Sequence, residues 1–204
     1  MKKTKLVALL TAVLCSATPV MSVSAETLSD VTPNNSTEVK AKIIDPGQVS
    51  YTITIPATVD FGTLTQPEDD SNPHYVFNNF TVEATELNIK SGQGVTIYMK
   101  TADDSPFHIT QKDVAENPFT LSYDIYDSLV DESNIADKTA LNDPGNTPGM
   151  YGYHLCTFAY GTAGSTQDVT LALDQNALYN KELSEIAGDY SGYIDFHSAL
   201  IQIG

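Results

Sequence analysis

Hydrophobic residues recur at every second position in one segment of the chain after another. In VSYTITIP, Val49, Tyr51, Ile53 and Ile55 alternate with Ser50, Thr52 and Thr54 until Pro56, which has no N–H to continue a ladder. The period of two predicts a half-buried strand. It returns in FTVEAT, with Phe80, Val82 and Ala84 inward, and in GVTIYMK, with Val95, Ile97 and Met99 inward. FTLSYDIY turns Phe119, Leu121, Tyr123 and Ile125 inward, and DVTLALD does the same with Val169, Leu171 and Leu173. Thr and Tyr fill many of the outward positions, as pleated surfaces prefer.

Two further segments are strand-like in other ways. MYGYHLCTFAY, residues 150–160, is apolar on both faces and predicts a central strand covered from both sides. AGDYSGYIDFHSALI places Tyr190, Ile194, Phe196 and Leu200 on one face, with Asp189, Ser191, Tyr193, Asp195 and His197 on the other. Gly192 inside it marks a bulge or a close backbone approach. EVKAKII, residues 38–44, completes a set of about eight strands, separated by clusters such as QPEDDSNP and NDPGNTPG. Only DVAENP and ALYNKELSEIAG have room for a short helical turn, the second closed by Gly188. The expectation is an all-β fold, an antiparallel β-sandwich, with a closed barrel as the alternative.

The first residues, MKKTKLVALLTAVLCSATPVMSVSA, combine Lys2, Lys3 and Lys5 with an apolar run from Leu6 to Leu14 and a small-residue exit ending at Ala25. That is the pattern of a secretory signal peptide over residues 1–25, and the apolar run falls short of the roughly 20 residues that span a bilayer. Leu14 before Cys15 lacks the small side chain of a lipid-attachment site. Residues 26–37, polar and holding Pro33, are expected to form a flexible lead-in to one domain over 38–204. A secreted or cell-surface location follows, without membrane insertion.

Charge narrows the partners. Cleavage would leave seven Lys against twenty-six Asp and Glu, a formal charge of −19, and the chain has no arginine. Such a surface repels phosphate backbones and anionic headgroups, so nucleic acid is excluded as a partner class. Cys156 would be the one remaining cysteine, so stability has to come from a core and not from disulfides.

Candidate chemistry is thin. His154 and Cys156 stand two apart and would share a strand face, but neighbours on one face lie about 7 Å apart, too far for a thiol and its base. His74, His108, His154 and His197 have no metal-binding spacing, so no catalytic residue and no metal ligand is assigned. No cofactor is expected. If a cation binds, calcium best suits the acids at Glu68, Asp69 and Asp70, at Asp103 and Asp104, and at Asp124, Asp127, Asp131 and Glu132, none of which follows a calcium-loop pattern. The Asn-x-Ser/Thr triplets at Asn34, Asn35 and Asn79 are read as chance matches. A carboxylate pair for glycoside hydrolysis depends on spacing in space. Eleven tyrosines are the exception to this poverty, because Tyr buries a large rigid area at small entropy cost. The candidate binding residues are Tyr98, Tyr126, Tyr151, Tyr153 and Tyr193.

YTITIPATVDFG, GVTIYMKT and the late AGDYSGYIDF together resemble secreted immunoglobulin-like surface proteins of Gram-positive gut bacteria, in which a Y-x-[IV]-x-[IV]-P strand comes early and a G-x-Y-x-G-x-[IV]-x-F strand last. The last motif is also similar to the closing strands of fimbrial subunits. The resemblance spans most of residues 38–200 and implies an immunoglobulin-like sandwich with a role in adhesion, assembly or host contact. It implies a non-enzymatic binding module for a host glycoprotein or immunoglobulin. A fibre or surface-layer subunit assembling by strand exchange is the alternative, and a secreted hydrolase a more distant one. The chain ends ALIQIG, without a sortase motif, so covalent wall attachment is not expected.

Overall fold

The computed structural model describes residues 49–101 and 106–204. The expected signal peptide, the lead-in, the strand at 38–44 and the acids Asp103 and Asp104 lie outside the described residues. Among the described residues, ten strands form three antiparallel sheets. The first sheet has the order β1-β2-β8-β6, built from Ser50–Thr54 (β1), Tyr75–Asn88 (β2), Thr166–Asp174 (β8) and Asp124–Tyr126 (β6). The second has the order β10-β3-β7, from Asp195–Gln202 (β10), Gln93–Lys100 (β3) and Tyr153–Ala159 (β7). His108–Gln111 (β4), Thr120–Ser122 (β5) and Tyr190–Ser191 (β9) make a small third sheet, β5-β4-β9. Among the described residues helix is confined to two 3-10 turns and the single turn α1 (Leu183–Ile186), and no helix there is long and apolar enough to cross a membrane.

The alternation predicts the core. Val82 and Ala84 of β2, Val95, Ile97 and Met99 of β3, and Val169, Leu171 and Leu173 of β8 are all buried in one cluster. Tyr51 and Ile53 of β1 pack against it, with Val49 and Ile55 just outside the strand. Phe80 of β2 meets Phe196 of β10 edge-on with ring centroids 6.2 Å apart, so inward residues of the two larger sheets contribute to the same apolar interior. Tyr51 adds a hydroxyl contact of 3.1 Å to Ser198 between the edge strands β1 and β10.

Several elements depart from the periodicity, each for a local reason. FTLSYDIY keeps its alternation, with Leu121, Tyr123 and Ile125 buried, but changes partners at Tyr123: β5 pairs with β4 and β6 pairs with β8. Strands that switch sheets in this way make the corners of stacked β structures. AGDYSGYIDF is likewise two strands. At Gly192 a Cβ would collide with the carbonyl oxygen of His108, so the backbone there runs against β4 before β10 turns to β3. The central strand of the second sheet is β3, paired along both edges, and not β7, which among the described residues pairs on one side and exposes His154 and Thr157 on its outer face. DVAENP forms no helical turn; it is a loop in which Asp113 and Asn117 take positive φ values of 61° and 52°.

The carboxylate of Asp124 is half-buried on β6. Desolvation pushes its pKa up, against a hydrogen bond from Asn142 Nδ2 at 3.3 Å, and the charge of Asp143 adds to the rise. A carboxyl that holds its proton more tightly when folded destabilises the fold as pH rises through its folded pKa, and costs nothing where both states are protonated. Asp124→Asn is therefore expected to raise the melting temperature at about pH 7 and leave it unchanged at about pH 2.5. A lower melting temperature at neutral pH would show that the charge is favourably placed.

Candidate functional site

The outer face of the β10-β3-β7 sheet brings four planar side chains together. Cross-strand register sets His197 of β10 opposite Tyr98 of β3, and Tyr98 opposite His154 of β7, so one row runs across all three strands. The ring of Tyr98 lies 5.9 Å from that of His154 and 6.4 Å from that of His197. Tyr151 closes over the row, 5.7 Å from Tyr98 and stacked on His197 at 4.1 Å with an interplanar angle of 12°. Tyr151 remains 38% exposed, so the cluster presents ring surface to solvent.

Two backbone features build it. The first is an irregularity in β7: Ile97 pairs with Cys156, but Tyr98 pairs with His154, leaving Leu155 as an extra residue on the bulged strand. Leu155 is buried, His154 points out, and Cys156 packs against the core. The expectation that His154 and Cys156 share a face is thus corrected by the bulge. His154 instead reaches Thr157, three residues on, at 3.2 Å from Nε2 to Oγ1, and Thr157 in turn meets Thr96 at 2.9 Å. The second feature is the tight turn Gly149-Met150-Tyr151-Gly152, closed by reciprocal 3.0 Å hydrogen bonds between the two glycines. Gly152 has a φ of 105°, and a Cβ there would run into the Met99 carbonyl. Only glycine lets this turn lie flat on β3 and deliver Tyr151 to the row.

Of the five candidate tyrosines, the structure unites Tyr98 and Tyr151. Tyr193 is exposed at 51%, in the connection after Gly192. Tyr153 takes the opposite face of β7 and packs its ring 5.8 Å from Phe107. Tyr126 is corrected outright: it is 5% exposed, clustered with Val130, Ala140 and Ala172, and burial with the nearby Asp124 pushes its phenol up to about 12. Strand β6 is covered on the side that Tyr126 faces by the connection through Val130 and Ala140, which strand periodicity does not reveal. His154 and His197, 43 positions apart in the sequence, were not among the candidates; the signal for them is cross-strand register, which needs the pairing.

Electrostatics sets this sheet apart. Its three strands carry one carboxylate, Asp195, which the register places opposite Lys100. The chain as a whole has a formal charge of −16. The first sheet, by contrast, bears Glu83 and Glu86 on β2, Asp124 on β6, and Asp168 and Asp174 on β8.

Other candidate chemistry does not gather into a site. Burial, helped by the charge of Asp127, pushes the Cys156 thiol up to about 12, opposite to what a nucleophile needs. Alkylation of native protein at about pH 8 should run on the order of a thousandfold slower than for a free cysteine. Labelling as fast as a free thiol would refute this. No three His, Cys, Asp or Glu among the described residues converge to hold a metal ion. Asp69 and Asp131 each accept hydrogen bonds from a serine two residues on, Ser71 and Ser133, which lowers both pKa values and engages one carboxylate oxygen. A shallow groove of about 460 Å³ passes Phe119, Lys181 and Glu185, with Lys181 Nζ 5.8 Å from the centre of the Phe119 ring.

No protein-family model matches the chain, and a search of curated proteins returns no match.

Proposed function

We propose that this protein is a secreted, non-enzymatic binding module that engages a glycoprotein through the outer face of β3, β7 and β10. The observation that carries the reading is the four-ring cluster of Tyr98, Tyr151, His154 and His197, held by backbone constraints and open to solvent. Rigid aromatic residues are the favoured anchors of recognition surfaces, because they gain contact area with few rotamers to freeze. Sugar rings offer flat C–H faces to such side chains, and the Thr157 hydroxyl and the imidazole nitrogens beside them suit sugar hydroxyls. The cluster joins two tyrosines from separate elements, which a chance outward Tyr on a strand would not do. The immunoglobulin-like sandwich belongs to the same reading, supported by two antiparallel sheets that share one core. The host side of the proposal rests on the sequence resemblance alone.

Binding to an immobilised mucin-type glycoprotein tests it, with immunoglobulin as the parallel panel. The double variant Tyr98→Ala/Tyr151→Ala should lose at least about tenfold in affinity, the scale of removing central aromatic anchors, while keeping its melting temperature within a few degrees. Undiminished binding by the variant would move the site elsewhere.

A second reading, a fibre subunit assembling by strand exchange, is favoured by the edge positions of β1 and β10, each paired on one side among the described residues. A concentration-dependent ladder on a native gel, abolished by deleting residues 26–37, would select it.

A further inference from the structure

We infer that the ligand of this face carries a carboxylate, as an acidic sugar does, and that His154 and His197 make its capture stronger as the pH falls. The inference rests on the glycan-binding reading above and adds ligand class and regulation to it. It begins with charge. On a strongly acidic protein an anion is repelled almost everywhere, but charges beyond about 8–10 Å are screened at physiological salt, so the local composition decides. The charged groups on these three strands are Lys100 and Asp195, opposite in sign and paired in register, so the strands themselves carry no net charge apart from their histidines.

Histidine is the side chain whose charge ordinarily changes between about pH 5 and 8. Both imidazoles are exposed, and both border Tyr98. The titratable and charged groups on the elements around them are Tyr98 and Lys100 from β3, Tyr151 from the turn, Asp195 two residues before His197 on its own strand, Tyr153 and Cys156 on the other face of β7, and Asp127, whose charge reaches Cys156. Neutral His154 can accept a hydrogen bond from the Thr157 hydroxyl; protonated, it donates from both ring nitrogens and turns from acceptor to anion binder. His197 lies parallel to the Tyr151 ring at 4.1 Å, and taking up a proton converts that stack into a cation–π pair. Protonation therefore does two things at once. It places positive charge on both sides of Tyr98, and it holds Tyr151 more firmly over the row. A sugar carboxylate, whose ordinary pKa lies near or below about 4, stays ionised across this window.

The test uses the purified protein with two probes, sialyllactose and lactose, titrated by calorimetry at about pH 5.5 and about pH 7.5. Sialyllactose should bind on the order of tenfold tighter at the lower pH, the worth of one charge-assisted hydrogen bond, while lactose binds more weakly and without pH dependence. His154→Gln/His197→Gln should flatten the pH dependence of sialyllactose binding and keep the melting temperature. Equal, pH-independent affinity for the two sugars would overturn the inference and leave the glycan-binding reading standing. A pH dependence that survives in the double variant would overturn the role given to the histidines. If neither sugar binds but the mucin-type glycoprotein does, the inference falls alone; if the glycoprotein also fails to bind, both fall.

Discussion

Phe107→Ala is expected to cost roughly 3–5 kcal/mol of folding stability, the range for deleting a buried aromatic ring. Phe107 is 1% exposed and immediately precedes β4. Its ring packs 6.0 Å from Tyr123, at the switch between β5 and β6, and 5.8 Å from Tyr153 on β7. Its carbonyl accepts the Tyr123 backbone N–H at 3.0 Å, which ties the entry of β4 to that switch. One neighbour belongs to the second sheet and the other to the link between the third sheet and the first, so they cannot collapse into the void without disturbing the pairing on either side. Urea unfolding measures the loss directly. A cost under about 1 kcal/mol would mean that the junction is loosely packed.

Gly152→Ala should be nearly as damaging to stability, at roughly 2–5 kcal/mol, and should abolish ligand binding besides. Two penalties combine there: a φ of 105°, which side chains rarely adopt, and a collision of the new Cβ with the Met99 carbonyl in the central strand. The backbone has to lift away, and Tyr151, one residue earlier, lifts with it. Gly161→Ala separates the two penalties. Gly161 has a φ of 84° but nothing within 4 Å of its missing Cβ, so it should cost only about 1–2 kcal/mol and leave binding intact. Equal losses at the two glycines would mean that the turn does not press on β3 and that Tyr151 reaches the row by another route.

Much of this architecture was legible in the residues. Val82, Val95, Ile97, Met99, Val169, Leu171 and Leu173 are buried as a period of two demands, because burial on one face of a strand is a local consequence of sequence. What escaped depends on pairing. Nothing in FTLSYDIY announces that the strand changes sheets at Tyr123, since the inward alternation runs on undisturbed. The bulge at Leu155 re-phases β7 by one residue, which sends His154 out and Cys156 in and makes an unbroken alternation the wrong guide there. Tyr98 and Tyr151 were visible as tyrosines, but their meeting with His154 and His197 is a product of register across three strands. Tyr126 looked available because its own strand was read without the loop that covers it.

The most direct test of the central claim is an aromatic-region NMR titration of the protein with a mucin-type glycopeptide. The account predicts perturbations concentrated at the rings of Tyr98, Tyr151, His154 and His197, with Tyr126 and Tyr153 unmoved. Perturbations centred on the groove at Phe119 and Lys181, or a spectrum unchanged at saturating glycopeptide, would contradict it.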